Sequence, residues 1–496
     1  MKNLKIGLAL VLFIFGCSPQ KPNIQKEWAK IHQSKSKSIE KFNDNKFGMF
    51  VHFGVFSNLA GYWKEKKISG IGECIMRYAE IPRAEYRKAA AQFNPAQFNA
   101  EEWVKAAKMA GMRYIVAMPK HADGFAMYDS KVTDWDIMDV TQFHRDPMQE
   151  LYEACKKYDI NFSIYFNYLD WMDGGNGGIN DFAKTHPTED TSYRYWANTW
   201  DPSPVSFNDY FENKYKPQLR ELLHKFPGIQ ELWHDMPMKL TPEQTFEIYK
   251  LVYDIQPGAL DNSRIGNDFG DFWIPGDNII PEGEKVYEHN GTIDKLDKVE
   301  DLPWETPGTM NNTWGYRKDD SSWKSTPELL YWLTSITSKG GNYLLNIGPT
   351  GEGLFPEESL KLLKEIGDWM KVNGESVYGT KKWIVSQEGP TKIVMTGTDE
   401  REEKGFNTNF TSQDFWFSQK DNHLYITSLK WPETNDILVQ SLTRLRGDNN
   451  KTISSVDLLG YDKTLSWSMN DKGIKVTLPT ARPNPFGYVL KVTLKK

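Results

Sequence analysis

Residues 231–238 read Glu231-Leu232-Trp233-His234-Asp235-Met236-Pro237-Met238. A short apolar approach ends in an aromatic ring and then a lone carboxylate. Pro237 follows at once, and Thr241-Pro242-Glu243 reads as the start of a helix. A buried strand that ends in a carboxylate and hands over to a helix is the unit of an α/β protein. Such folds place their chemistry at the C-terminal ends of the strands. Trp233, two residues before Asp235, offers a flat apolar face. Sugars set their C–H patches on such faces, while their hydroxyls need polar and charged partners. The plain alternative for Asp235 is a strand-end residue that caps the next helix.

The same unit recurs on both sides. Residues 47–56, 113–118, 161–168, 230–233, 259–262 and 342–347 are apolar runs of the fully buried kind, without clean alternation. Helical patterns lie between them. Asn99 caps Ala100-Glu101-Glu102-Trp103, and Gly111 ends that helix. Residues 147–158, 328–339 and 356–373 are further amphipathic stretches. About six strand–helix units, with room for more, point to a (β/α)8-type barrel rather than an open sheet. No strand is followed by a glycine-rich nucleotide fingerprint, which counts against a dinucleotide fold.

After Tyr378 the helical period stops. Residues 383–386, 392–396, 423–428, 437–440, 454–459, 474–478 and 488–494 are short strand candidates separated by turn-rich pieces such as Gly447-Asp448-Asn449-Asn450. That spacing predicts a C-terminal antiparallel β-sandwich. The domain reading is therefore a leader over 1–17, a polar tether over 18–37, a barrel over 38–378 and a sandwich over 379–496.

The chain has 496 residues with a net charge of −6 and no basic tract, so nucleic acid is not an expected partner. Eighteen Trp and 23 Tyr suit a carbohydrate cleft, though an aromatic-rich core gives the same count. At the N-terminus, Lys2 and Lys5 precede an apolar run from Ile6 to Phe15, then Gly16-Cys17-Ser18. This is the pattern of an export signal too short to span a membrane. Cys17 after Gly16 resembles the lipobox of bacterial lipoproteins, with Ile14 at the leucine-like position. The expectation is an exported chain acylated at Cys17 and held to a membrane on the periplasmic or cell-surface side. Simple secretion with cleavage nearby is the alternative. Cys74 and Cys155 make no disulfide framework and show no zinc spacing. No metal or organic cofactor is called for.

Polar groups collect near the expected strand ends. His52 follows Phe50-Val51, His121 follows Lys120, Tyr165 lies in a strand, Arg264 follows Asn262-Ser263, and Glu73 lies in the loop after His52. Singly, each has an ordinary reading as a satisfied core group or an ion-pair partner. Together they would ring one barrel mouth. A carboxylate nucleophile needs a second carboxyl group as acid and then base. Asp271, Asp277, Glu282, Glu284, Glu288 and Glu305 are the candidates downstream. Apolar neighbours around Asp277 and Trp304 beside Glu305 would each raise an acid's pKa. Spacing alone does not choose between them.

These stretches together resemble glycoside hydrolase family 29, the α-L-fucosidases. The resemblance is carried by Phe47-Gly48-Met49-Phe50-Val51-His52-Phe53-Gly54, Phe93-Asn94-Pro95, Lys120-His121-Ala122-Asp123-Gly124-Phe125, Trp314-Gly315-Tyr316 and Lys339-Gly340-Gly341-Asn342-Tyr343. It implies a barrel with a C-terminal sandwich and hydrolysis of terminal α-L-fucosyl residues of glycans with retention of configuration. By the same resemblance Asp235 is the nucleophile, and His52, Glu73, His121, Tyr165, Trp233 and Arg264 contact the sugar. Asp277 is the preferred acid/base, with Glu305 and Glu282 as alternatives. Three positions depart from the family pattern. Ala122 stands at a usual sugar-binding His, Cys74 at a common Trp, and Phe53 at a frequent Trp. A related substrate such as an α-L-galactoside therefore stays open, and so does a non-catalytic glycan-binding lipoprotein.

Overall fold

The computed structural model describes residues 23–173, 196–237, 240–281, 303–391, 409–446 and 452–495. The leader, Cys17, residues 18–22, Glu282, Glu284, Glu288 and the expected strand at 392–396 lie outside the described residues.

Seven parallel strands form the main sheet. They are β1 (Phe47–Val51), β2 (Tyr114–Lys120), β3 (Asn161–Asn167), β4 (Glu231–Asp235), β5 (Leu260–Asp261), β6 (Glu305–Thr309) and β7 (Asn342–Ile347). Their order is β5-β4-β3-β2-β1-β7-β6. Phe272 and Trp273 close the gap between the two edges. Asn262 bridges to Phe272 and Trp273 bridges to Trp304, both in the parallel sense. Trp273 N donates to Pro303 O at 2.9 Å, and Glu305 N donates to Trp273 O at 2.8 Å. The eighth position of the barrel is thus two residues long, yet it completes the ring.

Strands buried on both faces explain the unbroken apolar runs. The barrel interior packs Phe50, Tyr114, Val116, Tyr165, Trp233, Phe272 and Leu344 into one cluster. Phe42 joins that cluster with its ring 4.5 Å from that of Phe272.

The helices begin and end where local chemistry dictates. In α3 (Ala100–Met109), Asn99 Oδ1 accepts the Glu102 N–H at 3.2 Å. Gly111 beyond it takes φ +84°, a conformation that suits a residue without Cβ. In α4 (Pro147–Tyr158), Asp146 is the cap and proline opens the first turn. Helix α5 spans Lys216–Lys225, and α6 (Pro242–Ile255) starts with a reciprocal Thr241–Gln244 capping box. Helices α7 (Thr326–Ser338) and α8 (Glu357–Asn373) follow β6 and β7.

The expected tether is corrected in part. From residue 24 the chain is helical, as α1 (Ile24–Ser34) and α2 (Ser36–Asn45). No α-helix connects β5 to Phe272; the connection holds only a short turn at Ser263–Ile265. Helix α1 packs against that connection. Trp28 Nε1 donates to Phe269 O at 2.9 Å, and His32 Nδ1 lies 2.9 Å from Asp271 Oδ1. Lys35 is wholly buried between Asp261 and Asp271.

The C-terminal region forms two antiparallel sheets. One orders β8 (Lys381–Glu388), β9 (Phe415–Lys420), β10 (His423–Ser428), β15 (Tyr488–Leu494) and β12 (Ile453–Leu458). The other orders β11 (Asp436–Val439), β14 (Gly473–Thr477) and β13 (Ser466–Asn470). Phe417 and Ile426 from the first sheet share a core with Val439 and Val476 from the second. That shared core makes the pair a sandwich. It meets the barrel at α7, where Tyr331 stacks on Phe410 at 5.6 Å and meets Trp416 edge-on at 5.9 Å.

Candidate active site

A hollow of about 520 Å³, open to solvent, lies among the C-terminal ends of the strands. Consecutive strands supply its wall. His52 follows β1, His121 follows β2, Tyr165 lies near the end of β3, and Asp235 ends β4. Arg264 follows β5, Asp277 follows the Phe272–Trp273 segment, and Trp314 follows β6. Phe50 and Trp233 complete the aromatic lining.

Asp235 has both oxygens engaged. Oδ1 accepts from Arg264 Nη1 at 2.7 Å, and Oδ2 accepts from the Tyr165 hydroxyl at 2.7 Å. Asn167 Nδ2 donates to that hydroxyl at 2.7 Å and turns its proton toward the carboxylate. Burial pushes the Asp235 pKa up, but the Arg264 charge and the two hydrogen bonds outweigh burial and hold it below the ordinary carboxylate value. The group is therefore an ionised, oriented carboxylate. The next residue, Met236, takes a left-handed φ of +49°. For a residue with a side chain this is a strained position, of the kind found at functional sites.

Arg264 holds a second carboxylate with its other terminal nitrogen: Nη2 reaches Asp277 Oδ1 at 2.5 Å. The Asp277 side chain is 43% exposed, against 14% for Asp235 and 8% for Arg264. One planar fork thus joins an inner and an outer carboxylate, a geometry that guanidinium fits and ammonium does not. The Arg264 guanidinium also stands 5.0 Å from the Trp233 ring.

The two histidines are neutral. His52 Nδ1 lies 2.7 Å from Asn346 Oδ1, while Asn346 Nδ2 donates to Trp314 O at 2.8 Å. The Asn346 oxygen can only accept, so His52 carries its proton on Nδ1 and leaves Nε2 as an acceptor. Burial and the neighbouring His121 bring the His52 pKa down to about 3. Burial brings His121 down to about 4. The His121 ring lies flat against Tyr165 at 5.6 Å. Its Nδ1 is buried without a protein partner among the described residues. A buried unpaired ring nitrogen beside a polar hollow is suited to a ligand hydroxyl.

Glu73 sits on a loop sewn to the loop after β6. Its Oε2 accepts the Gly315 N–H at 2.8 Å, and Gly72 N donates to Thr313 Oγ1 at 2.8 Å. A Cβ on Gly315 would meet Glu73 N at 2.9 Å, and one on Gly72 would meet Gly315 O at 2.7 Å. Only glycine at both positions lets the two backbones approach this closely. Burial raises the Glu73 pKa to about 7, so this acid holds its proton up to neutral pH.

The structure brings together Asp235, Asp277, His52, Glu73, His121, Tyr165, Trp233 and Arg264 around the hollow. It places Glu305 elsewhere. That side chain lies below the hollow, wholly buried, and accepts from the Tyr114 hydroxyl and from Trp233 Nε1 at 3.1 Å. Both oxygens are occupied inside the barrel, so Glu305 does not reach a leaving group. Two of the departures also move out of the site. Ala122 is buried and accepts the Trp171 N–H through its carbonyl at 2.7 Å. Phe53 packs on Phe93 and Trp103 in the outer core. Cys74 does line the hollow. Sequence reasoning missed Phe50, Ile71, Trp196, Met236 and Trp314 as wall residues, and Asn346 as the partner of His52. Asn346, next to the C-terminal residue of a strand, carried the one readable signal.

A sugar ring entering this mouth would meet aromatic faces, neutral imidazoles and a pair of carboxylates on one cation, and that chemistry places the chain among the glycoside hydrolases. Comparison with known proteins narrows the class. Residues 13–375 match the α-L-fucosidase family model, and residues 407–493 match the α-L-fucosidase C-terminal domain. The chain belongs to the α-L-fucosidase family. The tissue α-L-fucosidase of Mus musculus is 27% identical over 476 residues, covering 91% of each chain. The structure of α-L-fucosidase isoenzyme 1 from Paenibacillus thiaminolyticus superposes with a TM-score of 0.72 at 27% identity, covering 93% of this chain and all of that one. A mutant α-L-fucosidase AlfC, solved with 4-nitrophenyl-α-L-fucopyranoside, is 34% identical with a TM-score of 0.59. It covers 68% of this chain and 99% of its own.

Proposed function

We propose that the protein is a retaining exo-α-L-fucosidase that removes terminal α-L-fucosyl residues from glycans by double displacement through Asp235 and Asp277. The observation that carries this reading is the single Arg264 fork that engages both carboxylates. Sharing one guanidinium keeps the two groups close, as suits the roughly 5–5.5 Å spacing of retaining enzymes.

Asp235 attacks the anomeric carbon while Asp277, in its protonated form, gives its proton to the leaving oxygen. The first half yields a glycosyl ester on Asp235. Arg264 still faces one negative charge, which has passed from Asp235 to Asp277. Its attraction is free to stabilise Asp277 as a carboxylate, which is the form that takes a proton from water in the second half. Burial of Arg264 keeps this exchange of charge strong. Neutral His52 and His121 offer ring nitrogens to sugar hydroxyls. Trp233 and Phe50 back the hollow.

Proton NMR of the first-formed product from nitrophenyl α-L-fucoside tests the stereochemistry. Initial release of α-L-fucose supports double displacement, and initial β-L-fucose excludes it. Running the α-L-galactoside beside it separates the two substrates. A folded protein that binds fucose and cleaves neither would make the chain a glycan-binding relative. For Asp277, the Asp277→Gly variant is expected to regain turnover with azide and to form a fucosyl azide of retained configuration.

Acylation at Cys17 belongs to the same proposal, on the strength of the basic start, apolar run and Gly16-Cys17 junction. Because α1 begins at Ile24, the stretch from there to Lys37 is part of the folded unit and does not serve as a tether. Labelled palmitate should enter the parent chain and not Cys17→Ala.

A further inference from the structure

We propose that Lys35, from the N-terminal helix pair, is a positioning residue for the reaction: it locks the base of the loop that aims Arg264 at Asp235. The inference rests on the reading of Asp235 as nucleophile.

The loop that carries Arg264 starts after Asp261 and ends before Asp271. Lys35 Nζ bonds to both of these residues, to Asp261 Oδ2 at 3.2 Å and to Asp271 Oδ2 at 2.7 Å. All three side chains are shut off from solvent. The ends of the loop are also tied to each other, because Asp261 N donates to Asp271 Oδ2 at 2.9 Å. Asp271 Oδ1 takes the Tyr249 hydroxyl at 2.7 Å and meets His32 Nδ1 at 2.9 Å. Asp261 Oδ1 meets His234 Nε2 at 2.8 Å, and His234 precedes Asp235 in β4. The Tyr249 ring lies 4.3 Å from the ammonium. The groups around Lys35 are therefore Asp261, Asp271 and Tyr249, with His32 and His234 behind them.

Two buried carboxylates stand side by side here with one fixed cation between them. Burial alone would push Asp271 up and Lys35 down, yet their mutual attraction keeps both charged. Without the ammonium, one carboxylate must take a proton or the two loop ends must part. Arg264 lies two residues past Asn262, whose side chain clasps the His234 backbone through N–H to Oδ1 and Nδ2 to O bonds of 3.0 Å each. A shift of this base therefore reaches both partners of the Arg264–Asp235 pair.

The test compares kcat, KM and pH profiles of Lys35→Met, Asp271→Asn and Asp235→Ala with the parent enzyme. Facing Asp235 are Arg264, Tyr165 and Asp277, with His52, His121 and Glu73 around the same hollow. Of these, Arg264 does most to hold its pKa down, with smaller help from Tyr165 and His121. Lys35→Met is expected to lower kcat by about tenfold or more through lost orientation, with KM moving less. The acid limb of kcat/KM should move to higher pH as Asp235 loses part of the Arg264 charge. Asp271→Asn should do the same to a smaller extent. A cooperatively folded Lys35→Met with the parent's kcat and acid limb overturns the assignment. Where Lys35→Met does not fold, Asp271→Asn, which keeps the Lys35–Asp261 pair, decides on the same readings. Loss of activity in Asp235→Ala beside unchanged Lys35 and Asp271 variants overturns the Lys35 role alone. Retained activity in Asp235→Ala overturns the nucleophile reading itself.

Discussion

Strand β4 carries a carboxylate at each end, and the two live under opposite rules. Asp235, at the mouth, pairs with Asp277 across Arg264 and is held ionised. Glu231, at the strand's start, shares the barrel interior with Glu305, and among the described residues no cation pairs with either. Burial pushes Glu231 well above the ordinary carboxylate value, and the Glu305 charge adds to it. Burial raises Glu305 to about 7, against hydrogen bonds from Tyr114 and Trp233 that lower it. Glu231 and Asp235 lie a few residues apart on one strand, and burial pushes the pKa of each upward. The lesson is that a counterion, rather than depth, decides which carboxylate is held as a charged reagent and which keeps its proton inside the core.

The largest expected effect comes from removing the upper inner acid. Asp235→Ala should lower kcat on the order of 10⁴-fold while fucose binding survives, as for other lost nucleophiles. Isothermal titration with fucose beside the rate assay checks both halves. Next comes the counterion. Arg264→Met should lower kcat by about 10²-fold and move the acid limb of kcat/KM to higher pH, because Asp235 then faces burial without its cation. An acid limb that stays put in this variant would break the comparison at its root.

The lower pair gives the smallest effect and the sharpest sign. Glu305 has a raised pKa, so its contribution to folding is fully present below the unfolded value of about 4.5 and is lost as pH rises through about 7. Glu305→Gln keeps one acceptor and one donor for Trp233 and Tyr114 but cannot ionise. The parent's melting temperature should fall between those pH values relative to the variant's, by on the order of a few degrees. Activity near pH 6 should change little. A loss of activity like that of Asp235→Ala would return Glu305 to the list of reacting acids.

Much of the barrel was legible because its strands are unbroken apolar runs. Strand β7 and helix α4 fall where the pattern puts them, at 342–347 and 147–158. Strand β6 was hidden because Pro307 and Gly308 sit inside it and Pro303 before it, residues that normally argue against a strand. The Phe272–Trp273 segment is too short for any periodicity. In the sandwich, Phe415–Lys420 and Ser466–Asn470 went unread, the latter because its exposed, serine-rich pattern looks like a loop. Residues 24–37 read as a tether because their lysines suggest a solvated chain. Lys35 is the exception that only tertiary partners explain. The site was readable wherever a polar side chain follows a strand. It was unreadable where a wall residue looks like ordinary strand core, as Phe50 does, or arrives from a distant loop, as Trp196 does.

The hydrogen bond from Trp28 to Phe269 joins residues 241 positions apart. Helix α1 thus fills a place in the shell that the chain between β5 and Phe272 leaves without a helix of its own. The earliest described helix to be synthesised must wait for more than half of the polypeptide before its seat exists. Contacts of such sequence separation are slow to form, so the Arg264 side of the mouth depends on one of the chain's long closures. A chain whose first helix has not found its seat would lack the brace behind that side of the mouth.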